Sequence, residues 1–262
     1  MYEQSVRDGA ATGARKAVFL KRNPVGYFIA SMLAGVYVGL GIILIFAIGA
    51  PFAQAEHPAI KLIMGASFGL ALTLVVFAGS ELYTGNVLFL GLGRLHGTCS
   101  WQDVAGVWTV SWFGNLAGSL VLAWVAVSAG SIAGAMPFIA KVAGSKMAVG
   151  PWALIGRGLL CNLLVCLALW TSSRTKSDTA KILLIGWCLF GFIGSGYEHS
   201  IANMTLLGLG VLGQSGSAVG WGGFWYNVLW VTIGNTAGGL LLAGAYHLAT
   251  RDATRLPEEQ PS

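Results

Sequence analysis

Residues 79–93 read GSELYTGNVLFLGLG, and residues 196–210 read GYEHSIANMTLLGLG. At an offset of 117, seven of the fifteen positions are identical: Gly79/Gly196, Glu81/Glu198, Asn86/Asn203, Leu90/Leu207, Gly91/Gly208, Leu92/Leu209 and Gly93/Gly210. Further on, FGNLAGS at 113–119 answers IGNTAGG at 233–239 at an offset of 120, so the second connection carries three more residues. Glycine and leucine recur by chance in a chain this rich in them. Two blocks in the same order that also share Glu and Asn point to an internal repeat.

The composition says where that repeat resides. Hydrophobic residues make up 55% of 262 positions and charged ones 10%, against about 25% charged in soluble domains. Mean hydropathy is +0.72. Six apolar stretches of membrane-spanning length run near 25–49, 59–81, 104–127, 150–171, 181–197 and 224–248, with shorter continuations near 86–93 and 202–212. The expected fold is therefore all-α and polytopic: six transmembrane helices in two three-helix repeats, 23–127 and 150–248. An odd number of spans per repeat inverts one half relative to the other. The membrane domain covers 23–248, between an N-terminal interfacial helix at 1–22 and a tail at 249–262.

The first 22 residues do not read as a cleaved signal: their basic part is long and no small-residue cleavage site closes a short apolar core. Val6, Ala10, Ala14, Ala17 and Phe19 are spaced to share one helical face. Asn23-Pro24 reads as the cap and first turn of span one. With the N-terminus inside, eleven basic residues fall on the inner side (Arg7, Arg15, Lys16, Lys21, Arg22, Arg94, Arg174, Lys176, Lys181, Arg251 and Arg255). Three (Lys61, Lys141 and Lys146) fall outside, and Arg157 lies within span four. This bias predicts cytoplasmic termini. The net charge of +5 thus reflects topology, with no basic surface for nucleic acid.

The repeated blocks interrupt their spans. Leu82-Tyr83-Thr84-Gly85-Asn86 sits where span two should continue, and Gly191, Gly194, Ser195 and Gly196 loosen span five. Backbone leaves a helix at membrane depth only where protein or water covers it. Two half-helices would then begin near the midplane, with N-terminal dipoles that favour an anion. Glu81 and Glu198, the two acids inside the spans, are repeat partners. They fit either a charged pathway wall or, as we prefer, a brace accepting the free N–H groups, with Asn86 and Asn203 supporting the same breaks. His199 breaks the symmetry, since its partner is Leu82. A lone imidazole at this depth donates, accepts or carries a proton, or is held by its neighbours. Asn115 and Asn235 lie in Gly-x-x-x-Gly blocks that read as close helix packing, and Trp101, Trp152, Trp170, Trp221 and Trp225 read as interface anchors. Cys99, Cys161, Cys166 and Cys188 show no disulfide or zinc spacing. No enzyme, nucleotide-binding or metal-ligand motif is present, and no cofactor is expected.

These blocks resemble the formate/nitrite transporter family. Residues 79–86 and 197–204 look like its second- and fifth-span motifs, while GLLCNLLVCLALW (158–170) and NVLWVTIGNTAGG (227–239) are similar to its fourth and sixth spans. The resemblance covers about 23–248 and is strongest to the nitrite branch. It implies an aquaporin-like protomer in a homopentamer, in a bacterial-type cytoplasmic membrane, conducting a small anion. His199 matches the central histidine, Thr84 the threonine facing it, Asn162 a pore amide and Lys146 a vestibule cation, with Arg157 a rival for that basic role. Phe68 and Leu72 match an inner constriction, Tyr83 and Phe192 an outer one. The implied solutes are nitrite or else formate, hydrosulfide or a short carboxylate, with protons as possible co-substrates. Two other classes fit the residues alone: a neutral-solute channel and a membrane receptor or scaffold.

Overall fold

The computed structural model describes residues 2–213 and 218–250. Of the sequence expectations, Arg251, Arg255 and most of the 249–262 tail lie outside those residues. The described chain is helical: α1 Glu3–Arg22, α2 Pro24–Gln54, α3 Ile60–Ser67, α4 Gly69–Leu74, α5 Tyr83–Leu95, α6 Trp101–Ser128, α7 Met136–Met147, α8 Pro151–Ser173, α9 Asp178–Gly194, α10 Ser200–Leu212 and α11 Trp221–Thr250. A π-helical turn, Val75–Gly79, extends α4. Local chemistry sets several starts. Asn23 accepts the Gly26 N–H at 2.8 Å ahead of Pro24. Ser100 and Asp103 form a reciprocal capping box at α6, and Ser177 caps α9.

Among the described residues, five helical segments are long and apolar enough to cross a membrane: Pro24–Gln54, Ile60–Gly79, Trp101–Ser128, Pro151–Ser173 and Trp221–Thr250. The fifth expected span, α9, has 17 residues, or about 26 Å of helix at 1.5 Å per residue, short of the roughly 30 Å hydrocarbon core. Its axis ends early because the chain leaves the helix at the second repeated block.

Both repeated blocks depart from helix at equivalent places. Gly79 has φ +83° and Gly196 φ +71°, left-handed conformations that other residues rarely adopt. The three residues after each glycine, Ser80–Leu82 and Tyr197–His199, lie outside helix before α5 and α10 begin. The identity of these glycines in the two blocks thus has a backbone cause.

Packing repeats as well. α2 lies along α6 in the first half, and α8 along α11 in the second. The two short helices after the breaks interlock the halves: α10 packs on α6 and α2, and α5 on α11. Both are almost wholly buried, from Tyr83 to Gly93 and from Ser200 to Gly210. Helix α1 packs its Val6, Gly9, Ala10, Gly13 and Ala17 face against the rest of the molecule, chiefly α5. Phe19 departs from the expected face and is 37% exposed. Trp170 is corrected too: it is 2% exposed and stacks on Tyr246 at 4.1 Å, so it is core and not an interface anchor.

Candidate functional site

The two breaks leave the first N–H groups of α5 and α10 and several carbonyls without helical partners. The asparagines of the Gly-x-x-x-Gly blocks supply them. Asn115 Oδ1 accepts the Tyr83 N–H at 2.9 Å, and its Nδ2 donates to Ser31 O at 2.7 Å and Glu81 O at 2.9 Å. Asn235 repeats the pattern, accepting the Ser200 N–H at 2.8 Å and donating to Gly158 O at 2.8 Å and Glu198 O at 2.9 Å. Both side chains are fully buried. The expectation that these asparagines serve packing is therefore corrected: they brace the broken helices.

The glutamates do something else. Glu81 Oε2 accepts from Lys16 Nζ at 2.7 Å and from the Tyr27 hydroxyl at 2.9 Å. Glu198 Oε2 accepts from Lys146 Nζ at 2.6 Å and Asn203 Nδ2 at 2.6 Å. Asn86 Nδ2 in turn donates to the Tyr27 hydroxyl at 3.0 Å, and Asn203 Nδ2 to Asn227 Oδ1 at 2.8 Å. The carboxylates thus hold lysines, which corrects their assignment as acceptors for backbone N–H groups. A buried carboxylate without such a partner would lose several kcal/mol, so the pairing answers the cost of placing it there.

Lys16 and Tyr27 escaped the sequence reading. A signal was present: Lys16 stands eight residues before Pro24 and Lys146 five before Pro151, each on a helix leading into the first long helix of its half. Each half carries one such pair, Lys16–Glu81 and Lys146–Glu198, whose glutamates are repeat partners.

His199 is the N-cap of α10. Its Nδ1 accepts the Ala202 N–H at 3.1 Å, so in the neutral ring the proton resides on Nε2. Nε2 lies 2.9 Å from Thr84 Oγ1, and that geometry makes the histidine the donor. Thr84 is fully buried and His199 is 3% exposed. Asn162 Nδ2 ties the same region together, donating to Thr84 O at 3.2 Å and Asn235 O at 2.6 Å. Its Oδ1 is buried with no protein partner among the described residues.

Beside His199 lies a cavity of about 10 Å³, close to the space one water needs, lined by Val38, Phe68, Ala71, Leu72, Leu82, Val165, Leu189, Phe192 and His199. Phe68 and Phe192 meet edge to face at 5.3 Å. The expected grouping is thereby corrected. Phe192 stands with Phe68 and Leu72, while Tyr83 turns to a different cleft and shares a 2.7 Å hydrogen bond with Thr236. Tyr83 initiates α5, and its backbone is fixed by Asn115, which sends its ring away from Phe192. Leu82, Val165, Val38 and Leu189 are lining residues that apolar sequence gives no means to single out.

At the far end of α2 from α1, an open cavity of about 830 Å³ carries Lys141, Lys146 and Arg157, with Glu56 and His57 at its wall. The Glu198 N–H donates to Arg157 O at 3.3 Å, which ties this cavity to the second break.

The sequence matches the formate/nitrite transporter family over residues 3–249. It is 44% identical to the nitrite transporter NirC of Salmonella typhimurium over 261 residues, covering 97% of this chain and 94% of that relative. Among solved structures, it is similar to an FNT family ion channel with TM-score 0.89 and 42% identity, covering 95% of this chain and 99% of that one. It is also similar to a pentameric formate channel with formate bound, with TM-score 0.81 and 26% identity, over 88% and 98% of the two chains. This polytopic, all-helical membrane protein belongs to the formate/nitrite transporter family.

Proposed function

We propose that this protein carries small monovalent weak-acid anions, nitrite foremost, across a bacterial-type cytoplasmic membrane. In this reading the chain makes six spans in two inverted, aquaporin-like halves. Spans two and five are broken, both termini are cytoplasmic, and α1 serves as the inner interfacial helix. Five protomers assemble, each with its own pathway. The relatives' functions support the solute class, and the pentameric relative supports the assembly.

The observation that carries the reading is the buried Thr84–His199 contact beside an otherwise apolar constriction. A bare anion pays heavily to leave water for such a cavity. A hydrogen-bond donor there, reached from an open basic cavity, lowers that cost for an anion. Lys146 and Asn162 belong to the pathway walls, Phe68, Leu72 and Phe192 to the constriction. Glu81 and Glu198 hold Lys16 and Lys146 beside the breaks, and Asn86 and Asn203 complete those two polar clusters.

Of the two roles open to His199, the hydrogen bonds favour the neutral donor over the proton carrier. A proton on Nδ1 would displace the Ala202 N–H and strand it at a buried helix start. Purified protein in liposomes, with nitrite outside and a pH dye inside, tests both points. Nitrite entry that carries charge without moving protons is the expected result. Absence of nitrite flux would overturn the transport reading, and electroneutral entry with one proton per anion would restore proton transfer. Formate is the second solute, favoured by the likeness to the formate-bound channel, and its flux in the same vesicles ranks the two.

A further inference from the structure

We infer that Arg157 is the residue that captures and selects the anion in the open cavity, by presenting a free guanidinium to a planar oxyanion. The inference rests on the transport reading above. Three cations line this cavity, but they are not equivalent. Lys146 donates to Glu198 at 2.6 Å, and Glu198 is 2% exposed, so the lysine charge is largely spent on a buried carboxylate. Arg157 is exposed and has no ion pair or side-chain hydrogen bond among the described residues. Lys141 also has no ion pair among the described residues, but it stands on α7 and not on the helix that continues to the constriction.

Arg157 lies on that continuing helix. Arg157, Cys161 and Val165 recur every four residues of α8 and share a face. Val165 lines the small cavity beside His199. Eight residues at 1.5 Å each put Arg157 about 12 Å above it along the helix axis. Its carbonyl is fixed by the Glu198 N–H, one residue from His199. The Arg157 backbone is thus tied to the second break, and its guanidinium is left free on the cavity side of the constriction. A planar fork of N–H donors grips two oxygens at once, which an ammonium cannot do, so it discriminates nitrite or a carboxylate from an anion with one acceptor centre.

The test uses the full chain in liposomes, comparing wild type with R157K, R157Q and K141Q, each checked for an intact size-exclusion profile. Initial influx is measured against nitrite and against hydrosulfide concentration. We expect R157Q to raise half-saturating nitrite about tenfold with maximal influx within about twofold, as loss of a charge-assisted bidentate contact implies. R157K should weaken nitrite about threefold while leaving hydrosulfide at the wild-type value, since the charge remains and the fork is lost. K141Q should change either value less than about twofold. Should R157Q fail to assemble, R157K carries the comparison. Unchanged nitrite saturation in the Arg157 variants, or equal effects of R157K on both anions, overturns the inference and leaves transport standing. Absence of nitrite influx in wild type overturns the transport reading and the inference together.

Discussion

Thr84 Oγ1 and His199 Nε2, 115 positions apart in sequence, stand 2.9 Å apart between the starts of two half-helices. Thr84 lies in the first turn of α5 and His199 caps α10, in opposite halves of the molecule, so this one contact joins both breaks. The Ala202 N–H on Nδ1 gives the contact a direction, from histidine to threonine.

Removing the acceptor tests that direction. T84V leaves the buried Nε2–H unpaired, at a cost of about 1–3 kcal/mol. Nitrite influx should fall about tenfold, equivalent to about 1.4 kcal/mol in the barrier, while T84S should stay near wild type. Influx of T84V at the wild-type rate would mean that the hydroxyl is a bystander.

The two bracing asparagines should matter to folding in parallel. N115A and N235A each free one helix-start N–H and two carbonyls in a buried place. Each should lose at least about 2 kcal/mol of stability, read as earlier unfolding in a denaturant titration of the purified protein. Glycine packing alone would predict that both alanines are tolerated, and wild-type unfolding of both would support it.

The two ion pairs should differ in what their loss costs. Glu198 is 2% exposed and Glu81 13%, and Glu81 keeps the Tyr27 hydroxyl. K146M should therefore destabilise more than K16M, by about 3–5 kcal/mol for the deeper pair. Adding E198Q to K146M should restore part of that loss, because no uncompensated charge remains. A double variant as unstable as the sum of its parts would show that the groups do not interact.

Helix contact at the repeated glycines predicts a third kind of sensitivity. A Cβ at Gly118 would run into the Met32 carbonyl, and one at Gly234 into the Ile155 carbonyl. G118A and G234A should force α6 from α2 and α11 from α8, losing about 1–3 kcal/mol. A Cβ at Gly156 or Gly186 would meet nothing within 4 Å, so alanine there should be neutral or slightly stabilising. The comparison is made in one denaturation series, and equal behaviour of all four would refute close backbone approach.

Hydropathy and the repeated blocks determined by themselves that this is a helical membrane protein in two related halves, because burial period and turn-forming glycines are local properties of a chain. They also singled out His199, Glu81 and Glu198, since polar groups in apolar stretches must be satisfied somewhere, while Thr84 and Asn162 were reached only through the resemblance to a known family. Who satisfies them was decided only in three dimensions. Lys16 reaches Glu81 across 65 residues and Lys146 reaches Glu198 across 52, distances over which sequence carries no pairing rule. Asn115 and Asn235 looked like packing residues because their neighbours are glycines, until their amides were seen to close the breaks. Phe192 joined Phe68, and Tyr83 left it, because helix direction after each break sets where a ring points. Composition and repeat fix which groups the membrane must bury, and the folding of one half against the other fixes what each of them touches.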